Sequence, residues 1–264
     1  MTRSVAEACR AVLTAAAPAD KIKAARAAAR DWRLGRLAFT FDVAMPDRPA
    51  RPDKPELLPP NRMPKRGKGS AHGRIALIHA IAHIEFSAID LAFDAVGRFG
   101  GEFPRGFTDD WMGVGADEAM HFALLDRRLK SLGSFYGALP AHDGLWDAAA
   151  ETAHDALARL AVVPMVLEAR GLDVTPATIE RFSASDDRVT TRILTRIVND
   201  EIRHVRAGTT WFESRCVELN LVPHATWHAL VTRHYRGAIK PPFNDSARDS
   251  AGLSRDYYQP LATS

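Results

Sequence analysis

Two glutamates and a histidine recur along this chain at one fixed offset, and that recurrence limits what the chain can fold into. Glu118 follows Glu85 by 33 positions, and Glu201 follows Glu168 by 33. Each second glutamate leads a histidine by three, giving Glu118–His121 and Glu201–His204, and the first trio maps onto the second by a shift of 83. Side chains three apart on a helix share a face. Each Glu-x-x-His pair can therefore aim both groups at one point. One helix with a single glutamate and the next with Glu-x-x-His, the order given twice, is the ligand plan of a carboxylate-bridged dinuclear metal site in a four-helix bundle.

The residue types suit that chemistry. Hard divalent ions favour carboxylate oxygen, and imidazole suits iron. Four glutamates offset the charge of two divalent ions, with Glu118 and Glu201 placed as the bridges. Without a cation, four buried glutamates would repel and some would stay protonated. Their flanks are apolar: Ile78, Ile81 and Ile89 near Glu85, and Val162, Val163, Val166 and Leu167 before Glu168. The expected cofactor is two metal ions, iron with iron first, with manganese/iron and manganese/manganese sharing the same ligands. Asp117 and Asp200 precede the paired glutamates, again at the offset of 83. Each is expected to take a hydrogen bond from a ligand histidine of the facing helix, and Arg203 to pair with a carboxylate behind the ligands.

Other residues compete for such roles. Glu151 and His154 share the Glu-x-x-His spacing, but on a continuous helix His154 would stand about 21 Å from Glu168. His79 and His83 point away from Glu85 and read as core-edge residues or supports of the ligands. Tyr136, His142 and Asp143 fall in the loop between the halves, with open roles.

Along the chain, residues 1–45 read as N-terminal helices, two short ones with Pro18 in the first turn of the second. Seven prolines between Pro46 and Pro64 exclude helix and interior strand, so 46–72 is expected to wrap the surface as extended coil. Residues 73–219 read as four long helices: 73–99, 108–132, 145–170 with a kink at Pro164, and 186–219. A linker helix is expected over 176–182. Residues 220–264 give a further helix from His224 to Tyr235 and a tail that wraps or frays. Strand signals are nearly absent, so the fold class is all-α, read as a single domain over 1–264.

Composition narrows the class. The net charge of +3 is too small to be a nucleic-acid signature by itself. Charged residues interrupt the apolar stretches short of the roughly 20 residues of a membrane span. Glu7 precedes any long apolar run, so the start reads as an amphipathic helix rather than a secretory leader. Cys9 and Cys216 form no CxxC pair, which fits a reducing cytoplasm.

Several stretches are similar to a known family: His83-Ile84-Glu85, Asp117-Glu118-Ala119-Met120-His121, Leu139 to Trp146, Val163 to Asp173, Asn199 to His204, and Met63-Pro64-Lys65-Arg66. On these the chain resembles the ferritin-like superfamily and, within it, the DUF455 family, over nearly its whole length. The resemblance implies a ferritin-like four-helix bundle and a di-iron-type centre, without a substrate. The leading expectation is an oxygen-activating oxidase or monooxygenase acting on a small organic molecule. No glycine fingerprint for a nucleotide and no cysteine cluster appears, so a separate electron donor is required. A metal-stabilised or iron-handling bundle is the alternative. Because a ferritin-like relative hydroxylates a modified tRNA base, the basic loop Arg62, Lys65, Arg66 and Lys68 is a further candidate for phosphate contact, though a solvated loop is the simpler reading. A homodimer is compatible with all of these.

Overall fold

The computed structural model describes residues 2–64 and 70–263. The chain is all-α: helices carry the structure, and among the described residues extended pairing is confined to isolated bridges. Lys65, Arg66 and Lys68 of the basic loop lie outside the described residues. Arg62 closes a single 3-10 turn, Pro60–Arg62. The chain divides into two compact units, 1–147 and 148–264, and each carries one complete copy of the Glu…Glu-x-x-His trio.

In the first unit, α1 (Val5–Leu13) starts with a capping box. Ser4 Oγ accepts from Glu7 N–H at 3.0 Å, and Glu7 Oε2 accepts from Ser4 N–H at 2.7 Å. Helix α2 (Pro18–Arg33) opens on its proline, as expected. Helices α3 (Ala71–Phe99) and α4 (Arg105–Ser131) form the main pair, with α1 laid on α3 and α2 on α4. The apolar run in α3 is longer than the sequence reading allowed. An 18-residue stretch within Ala71–Glu102 has a mean hydropathy of 1.5, enough by length and composition to cross a membrane, but 67% of it is buried within the protein. Acids spaced along a helix do not lower its mean hydropathy much; here they are buried and paired, and α3 is a core helix.

The Pro-rich segment wraps this unit, as its composition predicts. Backbone groups are met one by one: Arg98 Nη2 donates to the Pro46 carbonyl at 3.0 Å, Trp146 Nε1 to Asp47 at 3.1 Å and Ala141 N–H to Glu56 at 2.9 Å. The segment is also pinned by charge. Arg51 pairs with Asp90 of α3, which is paired in turn with Lys21 of α2. Neither Lys21 nor Asp90 has any exposed side-chain surface. Lys21 Nζ also donates to the Val12 carbonyl at 3.1 Å, and both cations lie over the Phe86 ring.

The second unit corrects the third expected helix. In place of one helix over 145–170, α5 (Gly144–Glu151) ends, and α6 (Ala156–Val162) restarts at Asp155, whose carboxylate accepts from Leu157 and Ala158 N–H at 2.8 and 3.2 Å. Buried Arg159 reaches back to the Ala149 carbonyl at 2.6 Å and closes the break. Pro164 then does more than kink the chain: Val163–Glu168 is a π-helical segment. A proline cannot donate to the carbonyl four residues back, and the widened turn accommodates it. The helix does not end at residue 170 either. Helix α7 (Ala169–Ala184) runs through both Gly171 and Pro176 and absorbs the expected linker helix. The Leu172 carbonyl, which Pro176 cannot serve, accepts from Asn244 Nδ2 at 3.1 Å.

Helix α8 (Arg188–Glu218) packs against α7 and the π segment, and α9 (Pro223–His234) packs on α6. The tail is packed rather than frayed. It forms α10 (Asp245–Ser250) and α11 (Arg255–Tyr258), with Tyr257 and Tyr258 buried. Arg248 Nε and Nη2 grip both oxygens of Asp173 at 2.8 and 2.7 Å.

One close approach sets the packing of α8 on the π segment. A Cβ added at Gly208 would sit 2.4 Å from Pro164 Cβ and 2.5 Å from its Cγ. A proline ring cannot swing aside, so the helices must part. Gly208→Ala should lower unfolding stability by about 1–3 kcal/mol, read by urea denaturation. A variant as stable as the parent would show that the π segment yields freely.

Candidate metal centre

The first trio converges. Glu85 comes from α3, and Glu118 and His121 come from successive turns of one α4 face. All three are buried, and their ligand atoms lie within 4.8 Å of one another. His121 Nδ1 is 3.1 Å from Glu85 Oε2 and 3.4 Å from Glu118 Oε2. Burial works against a charged imidazole here, but the hydrogen bonds and negative charges of Glu118 and Glu85 outweigh it and push the pKa up to about 11. The two carboxylates favour a positive charge at the point between them. This buried Glu/His cluster can bind a metal ion. Its oxygen and nitrogen donors suit iron or manganese, and a metal there would displace the proton.

The second trio lies in the second unit. Glu201 and His204 are buried on one face of α8, with His204 Nδ1 3.5 Å from Glu201 Oε2. Glu168 is half-buried at the last position of the π segment, which packs on α8. Its reach is therefore set by the widened turn and by the Pro164–Gly208 contact rather than by an ordinary helix.

Next to Glu201, Asp200 accepts from Arg203 Nη2 at 2.8 Å and from Arg196 Nε, both on its own helix. Arg203 thus pairs with a carboxylate next to Glu201. Asp117 is half-buried beside Glu118. Glu151 is exposed at the end of α5, and the His154 ring packs against His234 with centroids 5.5 Å apart. That pair is a surface feature of the break between α5 and α6.

His79 and His83 are occupied in structural roles. The His142 carbonyl can only accept, so His83 Nε2 carries a proton and donates to it at 3.2 Å, while Nδ1 accepts from the Tyr136 hydroxyl at 2.9 Å. Burial, with Arg51 adding to it, pushes the His83 pKa down to about 4, so the ring is neutral. His79 Nε2 accepts from Gly137 N–H at 2.9 Å. Tyr136, whose role was open, therefore positions His83. It also packs with Phe86 and Phe122, the residues that follow Glu85 and His121, with centroids 5.2 and 4.9 Å away.

Sequence reading missed the Lys21–Asp90–Arg51 group. The signal was present, since Asp90 and Asp94 interrupt the apolar run Ile89 to Phe93 and beyond. Acids buried at such positions demand cationic partners.

No solved structure matches the chain. A protein of Haemophilus influenzae (strain ATCC 51907 / DSM 11121 / KW20 / Rd), described as an uncharacterized protein, is 41% identical over 212 residues, covering 78% of this chain and 74% of that one. The profile of DUF455, described as a protein of unknown function, matches residues 14–259 and so spans both units and both trios. The chain belongs to the DUF455 family.

Proposed function

We propose that Glu85, Glu118, His121, Glu168, Glu201 and His204 serve one dinuclear metal centre of the ferritin-like type, and that the protein is an oxygen-activating oxidase or monooxygenase. The observation that carries the reading is the convergence of buried Glu85, Glu118 and His121, with His121 Nδ1 3.1 Å from Glu85 Oε2 and 3.4 Å from Glu118 Oε2. The exact copy of that trio in the second unit extends it from one ion to two. Iron in both positions is the first expectation, with manganese/iron next. Two redox-active ions held there would supply electrons for the reduction of dioxygen. The chain's own residues hold the ions and, by releasing the His121 proton, balance the charge brought in. The substrate is a small organic molecule, and electrons come from a separate donor protein. The two buried free thiols suit a reducing cytoplasm.

The test mixes the ferrous-loaded protein with isotopically labelled dioxygen in the presence of small-molecule extracts. Label appearing in an organic product would support a monooxygenase, and dioxygen consumed with a substrate oxidised but unlabelled would support an oxidase. Ferric ion accumulating with no organic product would sink both and leave iron handling.

A further inference from the structure

Helices α2 and α4 of the first unit line an open groove of about 400 Å³, within the roughly 300–1,000 Å³ range of ligand-sized pockets. Its floor is apolar and low, made by Ala29 of α2 and by Met112, Gly113 and Ala116 of α4. Gly113 is exposed, and a Cβ added there would meet no atom within 4 Å. Another backbone can therefore approach the floor closely.

The walls are basic. Arg26, Arg30 and Arg33 stand along α2, four and three positions apart, and Arg105 adds a fourth guanidinium from the first turn of α4. All four are exposed, against one acid, Asp109. Asp109 accepts from Trp32 Nε1 at 2.8 Å. Arg105 lies over the Trp32 ring, 3.8 Å from its centroid, a contact that steadies the guanidinium without neutralising it. Arg30 is paired with Asp31 at 3.1 Å. Among the described residues, Arg26, Arg33 and Arg105 have no ion-pair partner. Arg26 and Arg30 are like charges at a spacing of four, which weakens a helix, so a bound acid would offset a cost already present.

The floor and the rings say what kind of acid. A free phosphate would leave the apolar floor uncovered. A nucleic-acid strand calls for aromatic faces on which its bases stack, and the ring of this groove, Trp32, is buried beneath Arg105. A protein helix meets both features. Its backbone fits over Gly113, and carboxylates at the same spacing of four and three rise by about 6 and 4.5 Å, in step with the arginines of α2. We propose that the α2–α4 groove docks an acidic amphipathic helix of a partner protein, its apolar face on the floor at Gly113 and its carboxylates on Arg26, Arg33 and Arg105. None of the lining residues is among the six proposed metal ligands, so the inference stands or falls independently of the metal reading.

The test selects helical peptides from a randomised display library against the intact chain and measures the winners by fluorescence anisotropy, with a polythymidine strand in parallel. The winners should be amphipathic, with aspartate or glutamate at the spacing of four and three. The double variant Arg26→Gln, Arg33→Gln should bind them about tenfold more weakly. Gly113→Leu, which fills the floor, should weaken them by about tenfold or more. Leucine is a better helix former than glycine, so Gly113→Leu should keep the parent's circular dichroism and melting temperature. Should it fail to fold, the arginine double variant, which changes only exposed side chains, carries the comparison. A library yielding no binder or no acidic enrichment, a folded variant binding as the parent does, or polythymidine binding more tightly than any winner would each overturn the assignment. So would self-association of the parent that Gly113→Leu abolishes, since the groove would then seat a second copy of this chain.

Discussion

Asp90→Ala should cost the first unit about 3–5 kcal/mol of unfolding free energy, the penalty expected when one partner of a buried ion group is removed. Asp90 accepts from both Lys21 and Arg51, and Lys21 and Asp90 have no exposed side-chain surface. Without the carboxylate, an ammonium and a guanidinium remain beside each other on the Phe86 ring with only the Val12 carbonyl as acceptor for Lys21. Arg51 cannot shed its proton, so the cheaper escape of neutralising the pair is closed to it. Lys21→Met should cost clearly less, because Asp90 keeps Arg51 as its counterion. Arg51 is also the charge that pins the Pro-rich segment, so Asp90→Ala should raise amide hydrogen exchange over residues 46–58. Urea denaturation gives the free energies. A loss below about 1 kcal/mol, the scale of an exposed ion pair, would show that the group is solvated in practice.

That prediction also marks where sequence reading stops. Features governed by neighbours in the chain were legible. Pro18 opening α2 and the two Glu-x-x-His faces both follow from spacings of a few residues. The repeated trio was visible for a further reason: a repeat over 83 positions needs no knowledge of packing, and the structure brings the first copy together. What failed depends on partners far along the chain. Pro164 reads as a kink from its missing N–H, but the π segment also needs Gly208 opposite it. The tail reads as wrapping or fraying because it is rich in proline and serine, whereas Arg248 gripping Asp173, 75 residues away, holds it in place. The break at Asp155 looked like an uninterrupted helix because a capping aspartate also occurs on ordinary helix surfaces.

Glu118→Ala should remove at least one equivalent of bound metal, measured by elemental analysis of protein purified under defined iron and manganese supply. Glu118 supplies one of the two carboxylates that close on His121. Its loss leaves the first trio with one negative group, too few to offset a divalent ion. Glu118→Gln keeps the shape and loses the charge, so it separates electrostatics from packing; both variants should lose metal if charge is what matters. Stability supplies a second readout. An ion bound only by the folded chain and present at a thousandfold excess over its dissociation constant adds about 4 kcal/mol. Added iron should therefore raise the melting temperature of the parent and should raise that of either variant far less. Glu151→Ala is the control, because Glu151 is exposed and has the same Glu-x-x-His spacing without the convergence. Glu201→Ala then distinguishes one shared centre from two separate ones. In a shared dinuclear centre, each single variant should disturb both ions. In two separate sites, each variant should retain one full equivalent with the parent's affinity. A fully loaded Glu118→Ala protein would show that Glu118 is not a ligand and that the metal sits elsewhere, and would leave His121 and its two carboxylates as a buried ion group like that of Lys21, Asp90 and Arg51.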